Sequence, residues 1–507
     1  MKTIKYTTAL KSIRYILTVL VFFTSSCKKY LDKEPRDALS DQFVNEAIRK
    51  EGIDKVLNTL YWSLNPRWAM EDASNWMFIE ALSDNSNSGG DDDAGYRKTA
   101  FFEITPDNSF NNRWAYYYKV ITESNKSIHL IYTIFDAAGV SPQMAEAKFY
   151  RAWAYFELGR SFGGVMVLDE NALFTDPAAK TRKTLDETYD FAINDLLIAA
   201  DKLPDERIGC KPSKWTAKAL LGKIYLYKKD WAKAKEQLMA VVNNGSFILE
   251  PNYSDVFQVS HEKSKEMVFS IDCTDQGLAD WGNSDWMLHG NQLFAFCGPL
   301  VESHKDYMDG WGYSLPTTSL ADAFDATGDT RRKQATLLPM SELKMGVVDD
   351  NGDPVDPTTF ELPEPTFGWE GYYCRKTMPL KQYKSSSGEH YINYPQDYII
   401  MRYSEVLLLA AEACLQSGAI GEGQPLLNQV RNRVSLPVIP LTIDNLLKDK
   451  RLELAMEGER FFDLVRYNKA SEVLGSKGFT ANKNEIFPIP QGEIDKIGPT
   501  LLQNPGY

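Results

Sequence analysis

Between Trp215 and Asn243 the chain carries the spacing of a helix pair that is not stable in isolation. Leu221, Gly222, Tyr225, Trp231, Ala234 and Leu238 fall at positions 7, 8, 11, 17, 20 and 24 of a 34-residue tetratricopeptide frame. The small Gly222 and Ala234 let two antiparallel helices approach, and the larger residues fill the gap. Such a unit buries its remaining apolar face only by stacking on neighbours. The spacing therefore calls for further helices on both sides.

Those helices are legible. Phe43, Ala47, Ile48, Ile53, Val56, Leu57, Leu60 and Tyr61 recur at three- and four-residue steps, which predicts one helix over 40–62. Helical patterns return at 111–135 and 143–160, divided by Gly139 and Pro142, and again at 185–200. After a long gap they resume at Tyr398–Gln416, Glu422–Val434 and Thr442–Lys469, the first ended by Ser417-Gly418. Residues 63–110 hold no helical period and include the polar run Ser83 to Asp93, so they read as a loop. Residues 245–397 are rich in Gly, Pro, Asp and aromatic residues, with a strand candidate at Glu266–Ile271. Pro354, Pro357, Pro363 and Pro365 exclude a regular element over 349–368. The predicted fold is mostly α: a tetratricopeptide-like helical-repeat scaffold with a large irregular, loop-rich insertion. Its parts are 1–26, 27–244 with a ligand-side loop at 63–110, the variable insertion 245–397, and the closing helical pairs 398–507.

The first 26 residues read as a leader. Lys2, Lys5, Lys11 and Arg14 precede an apolar run from Tyr15 to Phe23 and then Thr24-Ser25-Ser26-Cys27. This run of nine residues spans about 14 Å as helix, against roughly 30 Å of hydrocarbon. This is the arrangement of a bacterial lipoprotein signal, with Cys27 as the acylated first residue of the mature chain. No later stretch reaches 18 apolar residues.

Composition removes several function classes. A net charge of −13 argues against nucleic acid, whose binding needs a concentrated basic surface. Five cysteines follow Cys27, without CxxC or metal-site spacing; a Cys273–Cys297 bridge is the pairing left open. The histidines His129, His261, His289, His304 and His390 form no HExxH, and no GxSxG, Walker or dinucleotide pattern occurs. Glu453 and Glu457 stand one helical turn apart, as do Glu459 and Asp463, but Arg451 and Arg460 interleave with them. Structural ion pairs fit that pattern better than the paired carboxylates of a glycosidase. Asp91-Asp92-Asp93 lacks the spacing of a calcium loop. Asp325 and Asp329, near Arg331-Arg332, read as turn and salt-bridge residues. No metal, cofactor or catalytic residue is expected.

Several segments resemble the SusD/RagB family, the surface glycan-binding lipoproteins of Bacteroidetes that partner TonB-dependent transporters. Tyr30-Leu31-Asp32 and Pro35 are similar to the family's start. Arg151-Ala152-Trp153-Ala154-Tyr155-Phe156-Glu157-Leu158 with Phe162-Gly163-Gly164-Val165 resembles its most recognisable helix and turn. Lys214 to Leu226 and Arg402 to Ala413 resemble the next two. Most specific are Arg451, Glu453, Leu454, Glu457, Gly458, Arg460, Phe461, Phe462, Asp463, Leu464 and Arg466, with Asn484 to Pro490 and Asn504 to Tyr507 closing the chain. The resemblance implies non-catalytic capture of an oligosaccharide at the outer membrane, on a lipid anchor facing the exterior, for delivery to a SusC-like transporter. Peptide capture by the same architecture is the alternative.

A sugar offers apolar C–H faces and a rim of hydroxyls, so rings and polar side chains in loops are the expected contacts. The chain holds 26 Tyr, 25 Phe and 11 Trp, more than helical patterns absorb. Trp281 and Trp286 flank the turn Gly282 to Asp285, and Trp311 lies between Gly310 and Gly312 with Tyr313 beside it. Trp68 and Trp76 come from the earlier loop, where Asp84, Asn85 and Asn87 have the chemistry to bond hydroxyls. Trp369, Tyr372 and Tyr373 form a second cluster, for ligand or transporter.

Overall fold

The computed structural model describes residues 41–64, 74–90, 94–107, 111–135, 141–171, 181–276, 290–365, 367–386 and 388–507. The leader, Cys27, Trp68, Asp91 to Asp93, Trp281 and Trp286 lie outside the described residues, as does the side chain of Trp76. The chain forms two compact units, 1–52 and 53–507. In the first, a helix runs over Asp41–Glu51. Gly52 ends it with φ of 91°, its N–H bonding to the Ile48 carbonyl at 3.1 Å. The period expected to run unbroken over 40–62 is thus cut. The second unit begins with a 3-10 turn, Ile53–Leu57, and a short helix, Asn58–Ser63.

The second unit is built on a row of helices: α1 (Asn111–Phe135), α2 (Pro142–Phe162), α3 (Leu185–Lys202), α4 (Lys214–Tyr227), α5 (Trp231–Asn244), α6 (Tyr403–Gln416) and α7 (Ile420–Arg433). Each packs on the next, which is the stacked-repeat architecture that the spacing in 215–243 demands. The starts are set locally: Ser141, Thr184, Ser213 and Asp230 each accept a backbone N–H of the first turn. Gly222 shows why the pairs are close. A Cβ there would lie 2.5 Å from Leu238 Cγ across the α4–α5 interface. Gly222→Val is expected to lower stability by about 1–3 kcal/mol through overpacking. Denaturant titration checks this, and an unchanged midpoint would contradict the close approach.

Buried charge ties the stack together. Arg151 of α2 donates to Asp195 of α3 at 2.7 and 3.0 Å, to Asn125 of α1 at 2.6 Å and to Glu170 at 2.6 Å. The C-terminal helices α8 (Ile443–Glu453) and α9 (Arg460–Arg466) close the scaffold. The single helix expected over 442–469 is broken between them, where Met456 and Gly458 have φ of 63° and 81°.

The chain leaves the stack after α5 and returns before α6, and these two ends are zipped together. Strand β2 (Met267–Ile271) pairs antiparallel with β6 (Tyr398–Arg402), Met267 opposite Arg402 and Ile271 opposite Tyr398. The strand expected at 266–271 is therefore present, and the helix expected from Tyr398 begins at Tyr403. The intervening residues are less irregular than their composition predicts. They contain helices Thr318–Thr327 and Thr330–Thr336, and strands β3 (Tyr313–Pro316), β4 (Leu337–Pro339) and β5 (Tyr372–Cys374). A core of Val301, Leu315, Leu338, Leu343, Val347, Leu362, Tyr373 and Met378 holds them. The stretch 63–110, expected to be loop, holds helices Ser74–Ala81 and Ala94–Ala100 and strand β1 (Ser86–Gly89), which pairs with β3. These elements are short, and their partners are distant in sequence, so periodicity alone did not reveal them. Asp329 caps its helix and bonds Arg332, and Asp325 pairs with Lys333 at 2.6 Å, as expected of turn residues. Cys210, Cys273, Cys297, Cys374 and Cys414 are free thiols.

Candidate ligand-binding site

The β1–β3 pair brings the early segment and the insertion together, with Gly89 opposite Tyr313. Close approach is possible because Gly90 has no side chain; a Cβ there would lie 2.4 Å from the Tyr313 ring. Tyr313 packs on Tyr96 and Phe296, at centroid distances of 5.5 and 5.6 Å. Just before β3, the chain is pressed against helix Leu293–Cys297. Trp311 N–H donates to Ala295 O at 2.9 Å, and a Cβ on Gly310 would lie 2.5 Å from that same oxygen.

This fixes Trp311 at the end of a strip of rings. Its indole meets Phe296 edge-on at 4.6 Å and lies 5.8 Å from Tyr391 with 31° between planes. His390 continues the strip, 4.1 Å from Tyr391. Trp311, Tyr391 and His390 are each half-buried, leaving part of each side chain at the surface. Polar groups border them. Tyr391 Oη donates to the Asp309 carboxylate, and Glu389 lies 3.0 Å from His390 Nδ1. Burial, then Lys384, lowers the His390 pKa despite Glu389, so the ring is neutral at pH 7. Rigid rings beside carboxylates match the two surfaces of a sugar, C–H faces and hydroxyls.

The stretch that bears His390 and Tyr391 also holds the residues on either side of 277–289, the segment that carries Trp281 and Trp286. On one side Ser385 Oγ donates to Asp275 O at 3.0 Å. On the other, Asn291 N–H donates to Tyr394 O at 2.8 Å and its side chain to Gln396 O at 3.0 Å. Both ends are thus held by the stretch that bears His390 and Tyr391. Sequence reasoning missed these two residues and Asp309. The available signal was the pair of rings following Gly388 in an otherwise polar run.

Other predicted contacts are framework residues. Asn85 is fully buried, and its Oδ1 accepts from Arg451 at 2.8 Å. Asp84 is clamped by Arg460 at 2.8 Å and Arg451 at 3.1 Å. Burial alone would raise its pKa, but Arg460 and then Arg451 hold the carboxyl below its usual range. Asn87 donates to Gly368 O at 2.9 Å and to Glu370 at 2.7 Å, stapling β1 to the insertion. The second cluster is a small core: Tyr373 is fully buried, Trp369 packs on it at 4.8 Å, and Tyr372 pairs with Pro339. Arg451 and Arg460 therefore serve Asp84, not the neighbouring glutamates. Glu453 and Glu457 bond Arg402, and Glu459 bonds Arg160 and Lys223, so ion pairing holds but with distant partners.

Among the described residues, one group has metal-ligand character: Cys210, Asp272 and Asp397. Lys263 already sits there, its ammonium 2.8 Å from Asp397 and 3.1 Å from the Cys210 sulfur. No helix among the described residues is long and apolar enough to cross a membrane.

The helical stack thus carries an insertion that holds a strip of rings and carboxylates at its surface. Comparison with known proteins narrows the class. Residues 265–507 match the SusD family, and residues 29–226 match a SusD-like family described as starch-binding, associating with outer membrane. SusD-like protein P2 of Formosa agariphila is 28% identical over 499 residues, covering 91% of this chain and 94% of that one. A SusD-like protein of Bacteroides ovatus is 24% identical, over 97% and 90%. Among solved structures, a laminarin-binding SusD-like protein is 28% identical with a TM-score of 0.78, over 90% of this chain and 99% of its own. Surface glycan-binding protein A from Bacteroides thetaiotaomicron, in complex with laminarihexaose, is 23% identical with a TM-score of 0.78 and the same coverage. The chain belongs to the SusD/RagB family of Bacteroidetes outer-membrane proteins.

Proposed function

We propose that this protein captures an oligosaccharide at the cell surface and passes it unchanged to a partner TonB-dependent, SusC-like transporter. Cys27 is its lipid anchor, and the outer face of the outer membrane is its place. Residues 245–397, with the segment 63–110, carry recognition; the helical stack carries them. The observation that supports this best is the strip Trp311, Tyr391 and His390, bordered by Asp309 and Glu389. Trp281 and Trp286 are the further ring contacts, on the segment whose flanks are held by residues 385–396, with Trp68 and Trp76 as outlying ones. The bordering carboxylates favour a neutral sugar. Together with the laminarin-binding relative, they point to a β-linked glucan.

Calorimetry of the purified protein against laminarin tests this. Binding is expected, with Trp311→Ala and Tyr391→Ala each weakening it roughly tenfold, the scale of one lost ring contact. No reducing ends should appear. Indifference to laminarin and other neutral glycans, with binding of peptides instead, would overturn the reading.

A further inference from the structure

Between the start of α4, the end of α5 and the turn before β2 lies a cleft of about 840 Å³. Known small-molecule sites span about 300–1,000 Å³. Its lining includes Trp215, Arg207, Lys265, Asn244 and Ser246, none of which belongs to the ring strip. Trp215, half-buried on the first turn of α4, has an indole N–H that is closed off from solvent and meets no acceptor. Arg207 is more telling. One terminal nitrogen of its guanidinium donates to the Met267 carbonyl and the other to Ser270 Oγ at 2.7 Å, while its Nε–H is closed off from solvent and meets no acceptor. Neutral groups orient this cation, and among the described residues no carboxylate pairs with it. Lys265 on the same wall is exposed and also lacks a carboxylate partner among the described residues.

The other charges in the cleft do not change this balance. Lys214 pairs with Asp205 at 3.3 Å, and Lys263 with Asp397 at 2.8 Å and with Asp272. Glu206 is exposed at the rim. What remains on its walls is a held guanidinium, a second cation, an indole ring and small polar groups. A half-buried cation without a counter-charge is costly, and the remaining terminal N–H hydrogens of the guanidinium suit a carboxylate or sulfate.

We propose that this cleft is a second saccharide site, for a sugar bearing a carboxylate or sulfate group. The anion lies on Arg207 and Lys265, and the sugar ring lies against Trp215. Hydroxyls reach Asn244 and Ser246. Such a site extends the ligand range beyond the neutral sugars assigned to the ring strip.

Titration calorimetry with digalacturonate, a sulfated galactose disaccharide, laminaribiose and inorganic sulfate tests it. At least one acidic sugar is expected to bind, and which one identifies the anion. Arg207→Gln, Trp215→Ala and Lys265→Gln should each weaken it by roughly tenfold or more, the effect of a lost charge-assisted bond or ring contact. Trp311→Ala should leave it unchanged, and added salt should weaken it. Arg207 also tethers Met267 and Ser270, so the exposed Lys265→Gln keeps the test clear of misfolding. The proposal fails if neither acidic sugar binds, or if binding survives Lys265→Gln intact. It also fails if Trp311→Ala removes binding, or if inorganic sulfate binds as tightly as the sugars. Loss of laminarin binding in Trp311→Ala, with acidic-sugar binding retained, separates the two sites.

Discussion

Glu453→Ala is expected to destabilise the 53–507 unit by about 3–5 kcal/mol, the loss typical of a buried charge deprived of its partner. The Glu453 carboxylate is fully buried and accepts from Arg402 at 3.1 Å, from Arg332 at 3.2 Å and, more tightly, from Arg433. Arg402 comes from β6, Arg433 from α7, Arg332 from the insertion, and Glu453 from α8. Glu266, just before β2, binds Arg402 and Arg433 at 2.7 and 2.8 Å. One buried network therefore fastens the insertion to the scaffold. The rings of Tyr253 and Phe257 lie below Arg402, at 5.7 and 5.3 Å. Without Glu453 three buried guanidinium groups compete for Glu266, Glu457, Asp329 and Asp449. By size scaling, Tm should fall by roughly 4 °C. Glu453→Met combined with Arg433→Met should cost less than the two separately, because the double change removes charge of both signs. A Tm within one degree of the parent for Glu453→Ala would show that the network does not hold the insertion.

Glu453 also shows how much of this fold the sequence could reveal. The helices of the stack were legible because each repeats an apolar face every three or four residues and the pairs need small residues such as Gly222. That local signal gave the scaffold and its order. It did not reveal partners. Arg451 and Arg460 stand beside Glu453, Glu457 and Glu459 in sequence, but pair with Asp84, more than 360 positions away. The breaks at Gly52 and at 454–458 were missed because apolar spacing continues across them, while the backbone turns through positive φ at Gly52, Met456 and Gly458.

For the site, ring chemistry was legible and accessibility was not. Trp311 and Tyr313 were expected as contacts from neighbouring glycines. Gly310 serves close backbone approach to Ala295 and so fixes Trp311 rather than merely exposing it, and Gly90 in the earlier segment does the same for Tyr313. Asp84, Asn85 and Asn87 have the chemistry of hydroxyl-bonding groups, and that same chemistry makes them useful as internal ties. Which use prevails depends on whether arginines from α8 and α9 reach them, and this is set by tertiary structure. His390 and Tyr391 went unnoticed because their importance comes from standing beside Trp311, some 80 positions earlier in the chain.

The buried ion pairs also predict steep acid unfolding. Burial alone would raise the Glu412 pKa, but Arg466 and Lys450 overcome it and push it down to about 2. Arg160 and Lys223 do the same for Glu459, also to about 2. Glu453 and Glu457 are depressed as well, against burial, by the arginines and Lys376 around them. In the unfolded chain these carboxyls titrate near 4.5. As pH falls, the unfolded state takes up protons first. The stabilisation is therefore complete above pH 4.5 and is lost progressively towards pH 2. Glu262 acts in the opposite sense. Burial and then Asp397 raise its pKa to about 8, so its contribution is present below pH 4.5 and fades as pH rises through 8. Burial likewise raises the pKa of Glu80, Glu146, Asp397 and Glu405. The contribution of such raised groups is already complete below their unfolded pKa, so only the depressed carboxyls still change there, and Tm measured from pH 7 to pH 2.5 should fall most steeply below 4.5. Glu412→Gln supplies the control. Its Tm should lie below that of the parent at pH 7, where the parent carboxylate is charged and bonded to Arg466 at 2.7 Å. The two curves should converge near pH 2, where the parent carboxyl is itself becoming neutral. A Tm that stays level between pH 6 and pH 3, or variant and parent curves that run parallel, would show that these buried pairs do not govern acid stability.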